Sequence, residues 1–232
     1  MSDAVEIVLV GATGMVGRQI MERAVGRRDV HLAAMARREV PLPKGARMEM
    51  LVADPDYWSD AIAAACPDVL VIALGTTIKA VDGDQARFRA VDRDLVIELA
   101  RAAKEGGVRH LIVVSSVGAA IGASNFYLSV KGEMEDALAK LHFHRLDIIR
   151  PGLLVGRREG PPRPLERLGM LFSPLLNALL HGGFRKYRAI KAAQVADAIL
   201  ELAKAKIKGR YVHEYDEMQR VIRKAAQHAA GE

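Results

Sequence analysis

Apolar positions along the chain follow two rhythms that take turns. Short, largely β-branched runs predict strands at Val5–Val10, Val30–Met35, Met48–Val52, Val69–Leu74, Leu111–Val114 and Leu146–Ile149. Between them, apolar residues recur at helical spacing over Met15–Val25, Tyr57–Ala65, Ala86–Lys104 and Tyr127–Leu141. The long third helix stops at Gly106-Gly107, where glycine can take the left-handed conformation that ends helices. Strand and helix alternating in this way predict an α/β fold, a doubly wound parallel sheet with helices on both faces. Such sheets bind ligands at the carboxyl ends of their strands, where the strand order reverses. The candidate residues below fall at such ends or just after them.

The rhythm changes after Gly152. Arg157–Pro164 is rich in Arg and Pro and predicts a loop. Leu165–Leu180 predicts one or two helices, Val195–Lys204 an amphipathic helix, Arg210–Val212 an edge strand and Glu217–Ala229 a closing helix. Residues 153–232 are too few to carry a core of their own, so 1–232 is expected to form a single domain, with 153–232 including a small cap or substrate region. Leu165–Leu180 keeps two readings. It is either a lid whose Leu168, Met170, Leu171 and Phe172 line an apolar pocket, or a surface for a second copy or another protein, so a homodimer is open.

Composition narrows the classes. The 232 residues, half of them hydrophobic, suffice for one sizeable core. The single cysteine, Cys66, rules out an internal disulfide and suits a reducing compartment. With no basic-then-apolar leader before the first strand, a cytoplasmic protein is expected. Leu168–Leu180 is shorter than a membrane span and interrupted by Ser173, Pro174 and Asn177, so no membrane insertion is expected. The net charge of +6 is scattered and suits anionic ligands and solubility. With no RNA-binding aromatic signature or zinc-finger spacing, nucleic acid is not an expected partner. His142 and His144 lack the acidic or cysteine company of a metal site. A phosphate loop of the Gly-x-x-x-x-Gly-Lys-Ser/Thr type is absent, which excludes that route to phosphoryl transfer.

The candidate chemistry starts at the end of the first strand. Gly11-x-x-Gly14-x-x-Gly17 lies between that strand and a helix, the arrangement that cradles a dinucleotide pyrophosphate. Gly11 permits the turn, Gly14 admits the phosphates, and Gly17 lets helix and strand pack closely. The helix start offers unpaired N–H groups and a positive dipole end. Gly11, Thr13, Gly14, Met15, Val16 and Gly17 are the candidate contacts. The second strand runs into Arg37 and Arg38, and two guanidiniums suit the 2′-phosphate of NADP(H) over the bare ribose of NAD(H). A solvated arginine pair is the alternative. Asp54, after the third strand, is either a contact to the adenine edge or a turn former.

Tyr127 and Lys131 form Tyr-x-x-x-Lys, one turn apart on a helix face. An ammonium near a phenol favours the phenolate and moves the tyrosine towards proton transfer. Ser115 and Ser116 end the preceding strand. Ser116 is placed to donate a hydrogen bond to a substrate carbonyl oxygen, with Ser115 as the alternative.

The glycine motif, the Ser-Ser strand end, Tyr127-x-x-x-Lys131 and Arg150-Pro151-Gly152 resemble the short-chain dehydrogenase/reductase superfamily in its extended and atypical branches. Leu74-Gly75-Thr76-Thr77, Val91-Asp92-Arg93-Asp94 and Ser124-Asn125-Phe126-Tyr127-Leu128-x-Val130-Lys131-Gly132-Glu133 are similar to the Tat-interacting, metastasis-suppressor-type oxidoreductase-like proteins and their bacterial relatives. The resemblance covers residues 4–156 well and the rest loosely. It implies an NADP(H)-binding Rossmann domain with Tyr127, Lys131 and Ser116 as the catalytic set. It also implies that Leu74, Gly75 and Thr76 pass beside the adenosine and its ribose, and that Pro151 and Gly152 border the nicotinamide. Many superfamily members hold a proton-relay water with an asparagine on the long central helix, and Ala86–Gly107 contains none. Two functions follow: a reductase or dehydrogenase acting on a small carbonyl or alcohol, or an NADP(H)-sensing regulator that contacts protein partners without turnover.

Overall fold

Six of the apolar runs become strands of one sheet, and a seventh joins them at the edge. The computed structural model describes residues 4–156 and 180–230. The strands are β1 (Val5–Val10), β2 (Val30–Ala36), β3 (Glu49–Val52), β4 (Val69–Ile72), β5 (His110–Val114) and β6 (Arg145–Ile149). Leu154–Val155 (β7) and Ile190–Lys191 (β8) form a separate two-stranded sheet, and Gly209–His213 (β9) is the last strand. The large sheet is parallel throughout, in the order β3-β2-β1-β4-β5-β6-β9. The chain steps outward from β1 to β3, returns to the other side of β1 for β4, and steps outward again. The order therefore reverses between β1 and β4.

Side-chain alternation in the strands sorts the helices. Ile7, Leu9, Val69, Val71, Ile112 and Ile149 face α1 (Met15–Ala24) and the helix Ala192–Ala203. Val8, Val10, Leu70, Ile72, Leu111, Val113, Leu146 and Ile148 face α2 (Trp58–Ala65), α4 (Leu95–Glu105) and α5 (Phe126–Ala139). Both faces are covered, as a parallel sheet requires. The helix expected over 86–104 is helical throughout but not uniform. Gln85–Arg89 (α3) leads into a π-turn at Ala90–Asp94 before α4 begins, with the Leu95 N–H bonded back to the Ala90 carbonyl.

After Gly152 the chain does more than cap. Ala192–Ala203 (α6) packs on the sheet beside α1, β9 pairs with β6, and Tyr215–Ala230 (α7) covers α6. The loop expected at Arg157–Pro164 and the helices expected at Leu165–Leu180 lie, except for Leu180, outside the described residues. β7 and β8 escape the pattern because two residues are too few to show a period.

One polar cluster holds the β9 edge. Asp147 of β6, fully buried, accepts from His110 Nε2 (2.7 Å), from His213 Nε2 (2.6 Å) and from Arg145 Nε and Nη2 (2.6 and 2.8 Å). Arg145 also donates to the Ile207 carbonyl and lies over the Tyr211 ring at 4.3 Å. Burial alone raises the Asp147 carboxyl, but the hydrogen bonds from His110, His213 and Arg145 outweigh it and hold the group well below the usual carboxylate range.

Candidate functional site

The crevice between the ends of β1 and β4 is where the strand order reverses, and the glycine turn lines one side of it. Gly11 has φ +93°, and a Cβ there would lie 2.6 Å from the Ala73 carbonyl carbon just past β4. A Cβ on Gly17 would lie 2.2 Å from the Gly11 carbonyl oxygen, so α1 can sit on the turn only with glycine there. Gly14 caps α1 in extended conformation with no side chain bonded to the free N–H groups, and the first turn of α1 carries no acidic residue. An anion therefore meets open donors and no repelling carboxylate. These features fit the pyrophosphate of a dinucleotide.

The β2 end adds positive charge. Arg37 and Arg38 are exposed and have no ion-pair or hydrogen-bond partner among the described residues. A small cavity of about 120 Å³ separates Ala12, Thr13 and Arg18 from Val40–Pro43, which follow those arginines. Asp54 is exposed and caps a 3₁₀ turn by accepting from the Asp56 N–H (3.2 Å), the behaviour of a turn former. Met15 reaches towards the far side, where a Cβ on Gly156 would lie 3.0 Å from its sulfur.

Across the crevice, β5 ends in Ser115-Ser116. The two serines differ in their surroundings. Ser115 is buried, donates its hydroxyl to Glu135 and gives its N–H to the Ile149 carbonyl. Glu135 in turn holds Arg150, whose guanidinium is raised further by that hydrogen bond. Ser116 is half-buried, and its hydroxyl makes only a long 3.4 Å contact to the Val117 carbonyl. Of the two hydroxyls, Ser116 is the one at liberty to meet another molecule.

α5 carries the remaining groups. Asn125 caps it by accepting from the Leu128 N–H (3.2 Å), which fixes where Tyr127 emerges. Tyr127 packs edge-on against the buried Phe88, ring centroids 5.7 Å apart. Gly132 lets α5 lie against the Ala120–Ile121 backbone, where a Cβ would approach Ala120 to 2.2 Å. That contact brings the Tyr127–Lys131 face up to the loop leaving Ser116. Lys131 is buried, and its Nζ lies 2.8 Å from Asp92 Oδ1. Asp92 Oδ2 accepts the Thr76 N–H at 2.8 Å, in the turn after β4. Gly152 lies so close to Tyr187 and Arg188 that a Cβ would come within 2.6 Å of the Arg188 carbonyl oxygen.

Glycine turn, strand ends and α5 therefore surround one end of the sheet. Asp92 is the residue that sequence reading missed as part of the site. It had a signal: Phe88, Asp92 and Val96 share one buried helix face, and a carboxylate in that register needs a partner. Among the described residues no group of three or more His, Cys, Asp or Glu could hold a metal ion, and no helix is long and apolar enough to cross a membrane.

Comparison with known proteins agrees with this geometry. The chain is 38% identical over 154 residues to the mitochondrial protein FMP52 of Eremothecium gossypii, covering 66% of this chain and 67% of that protein. It is 32% identical to the mitochondrial protein fmp52 of Aspergillus niger over 83% of this chain and 84% of that one. In fold it is similar to Thermus thermophilus UDP-glucose 4-epimerase in complex with NAD, with TM-score 0.66 and 16% identity, over 97% of this chain and 83% of that one. These names correct one expectation. Relatives that match most of the chain are mitochondrial proteins, so the expected cytoplasmic location does not stand. A single cysteine does not distinguish one reducing compartment from another. The pattern that defines NAD(P)H-binding proteins matches residues 11–206, from the first glycine of the turn to the residues after α6, and the chain belongs to this NAD(P)H-binding family.

Proposed function

We propose that the protein is an NADP(H)-dependent oxidoreductase acting on a small carbonyl or alcohol. The observation that carries the reading is the meeting of three features at one sheet end: the open glycine turn, the unengaged Ser116 hydroxyl and the Tyr127–Lys131 face of α5. The bound nicotinamide supplies hydride transfer. Gly11, Thr13, Gly14, Met15, Val16 and Gly17 hold the pyrophosphate, and Arg37 and Arg38 hold the 2′-phosphate. Leu74, Gly75 and Thr76 border the adenosine and its ribose, and Pro151 and Gly152 border the nicotinamide. Ser116 donates to the substrate oxygen and stabilises charge that develops there. Tyr127 gives or takes the proton on that oxygen, and its hydroxyl has no protein partner among the described residues to compete for it. Lys131, one turn beyond Tyr127 on α5, holds the nicotinamide ribose. Motifs shared with the Tat-interacting oxidoreductase-like proteins support the same assignment.

The test is titration of the purified protein with NADPH and NADH by nicotinamide fluorescence, followed by a carbonyl-substrate screen. Tight NADPH binding, weaker NADH binding and turnover abolished by Tyr127→Phe are expected. A folded protein that binds neither cofactor overturns the reading, and binding without turnover of any carbonyl turns it into a cofactor-sensing regulator.

A further inference from the structure

We propose that Asp92 is the positioning residue of this site: it holds the Lys131 ammonium and ties it to the Thr76 turn, so that lysine and turn meet the cofactor as one unit. The inference rests on the NADP(H) reading above.

Burial makes the pair informative. Asp92 is 0% and Lys131 3% exposed, and a charge taken from water is tolerated only when another group replaces the solvent. Asp92 finds that replacement in two places, both at the ligand end of the sheet. Lys131 stands one turn beyond Tyr127 on α5, and Thr76 stands in the turn after β4. The carboxylate lies directly beneath that turn, where a Cβ on Gly75 would be 3.6 Å from Oδ1. One side chain from the central helix thus joins two elements that sequence separates by more than fifty residues.

The helix is altered where Asp92 sits. The π-turn at Ala90–Asp94 inserts an extra residue into the α3–α4 run, a disturbance that is frequent at functional sites. Neighbouring charges are already paired elsewhere. Arg89 and Arg93 reach Glu133 at 2.5 and 2.6 Å, and Glu135 is taken by Ser115 and Arg150. Among the described residues Asp92 is the one carboxylate in ion-pair contact with Lys131. A purely structural pair would be served as well by two apolar residues of similar size. An ion pair in this position, on the helix that carries Tyr127, sets the Lys131 Nζ at the ligand end of the sheet. A lysine stem samples many rotamers, and the carboxylate selects one of them.

The test is a double-mutant cycle read in NADPH affinity by fluorescence titration: Asp92→Asn, Lys131→Met and both together. Asn retains an acceptor for the Thr76 N–H and puts an NH2 donor in place of the oxygen that faces the lysine. D92N is expected to weaken NADPH binding about 5- to 10-fold in the presence of Lys131 and to change it by less than about 2-fold in the K131M background. Losses that multiply, or D92N binding like the unaltered protein, overturn the proposal. If D92N alone does not fold, the double variant, in which neither charge is left unpaired, is compared with K131M, and further weakening by about 5-fold or more overturns it. If the unaltered protein binds no NADPH, the functional reading fails and this inference falls with it. If it binds NADPH and the cycle is additive, only this inference fails.

Discussion

Asp147 and Asp92 are both fully buried, and their surroundings differ: both Asp147 oxygens accept hydrogen bonds, whereas Asp92 Oδ1 has the Lys131 ion pair but no hydrogen bond among the described residues. Asp147 receives four hydrogen bonds from His110, Arg145 and His213, side chains of three neighbouring strands, and Arg145 is itself bonded and stacked on its other sides. That network is closed and has nothing left to offer a ligand. Asp92 holds one backbone N–H and one lysine, and the lysine stands beside the tyrosine at the ligand end. A closed network stiffens the β9 edge. A network sharing its cation with a site is arranged to meet another molecule. On the proposal above, the same residue type serves structure in one region and the site in the other, and the two regions should respond separately to change.

The sharpest separation is expected from Tyr127→Phe. Turnover should fall by about 100- to 10,000-fold, the usual contribution of a positioned acid or base. NADPH affinity and the unfolding midpoint should stay within experimental error, and a shift in either would place Tyr127 in the scaffold. The mirror experiment is Asp147→Ala, which leaves a buried guanidinium and two imidazoles without their shared acceptor. Denaturant unfolding should show a loss of about 3–5 kcal/mol, with NADPH affinity of the folded fraction unchanged. Acid should act on the same region. A carboxyl held below its unfolded value stabilises the fold above about pH 4, and the contribution disappears as pH falls through the native value. Urea midpoints should therefore drop below about pH 4, with Asp147 contributing to the loss. Asp29, Glu133 and Asp216, held low by hydrogen bonds from Arg27, Arg89 and Arg185, act in the same direction. An acid dependence that survives Asp147→Ala undiminished would remove Asp147 from the account. Smallest in energy is the double change Arg37→Ser and Arg38→Ser. NADPH affinity should weaken about 10-fold and NADH affinity hardly at all, since only the former cofactor has a phosphate for the guanidiniums. Equal losses for both cofactors would return the arginines to ordinary solvated loop residues.

The two regions also differ in how much of them the sequence discloses. Val5–Val10, Gly11, Gly14 and Gly17 are contiguous, and glycine at those spacings has few other uses, so cradle and sheet class are legible before any coordinates. Tyr127 and Lys131 announce themselves through one helical turn. Asp92 is harder to see because its partner lies on another helix, and because nothing in Val91-Asp92-Arg93-Asp94 marks a π-turn. Ser115 and Ser116 are indistinguishable as letters, and only the arrival of Glu135 from α5 separates them. The Asp147 cluster is invisible for a related reason. Its members are scattered from His110 to His213, and strand register alone brings them together.

The pairing of α1 with α6 has a consequence for how the chain comes to be folded. Val16, Ile20 and Ala24 share one cluster with Val195, Ala196 and Ile199, and the rim is fastened by Arg27 to Glu201 at 2.8 Å and by Lys204 to Asp29 at 3.0 Å. The helix that follows the glycine turn is thus sealed by a segment made some 170 residues later. During synthesis the glycine turn emerges early, yet the part of its helix that packs on Ala192–Ala203 has no cover until that segment leaves the ribosome. Contacts so distant in sequence form slowly because a long loop must close first. A fragment ending before Ala192 would carry the whole glycine motif and still expose the part of the sheet and of α1 that α6 covers, so the packing behind the motif belongs to the returning chain.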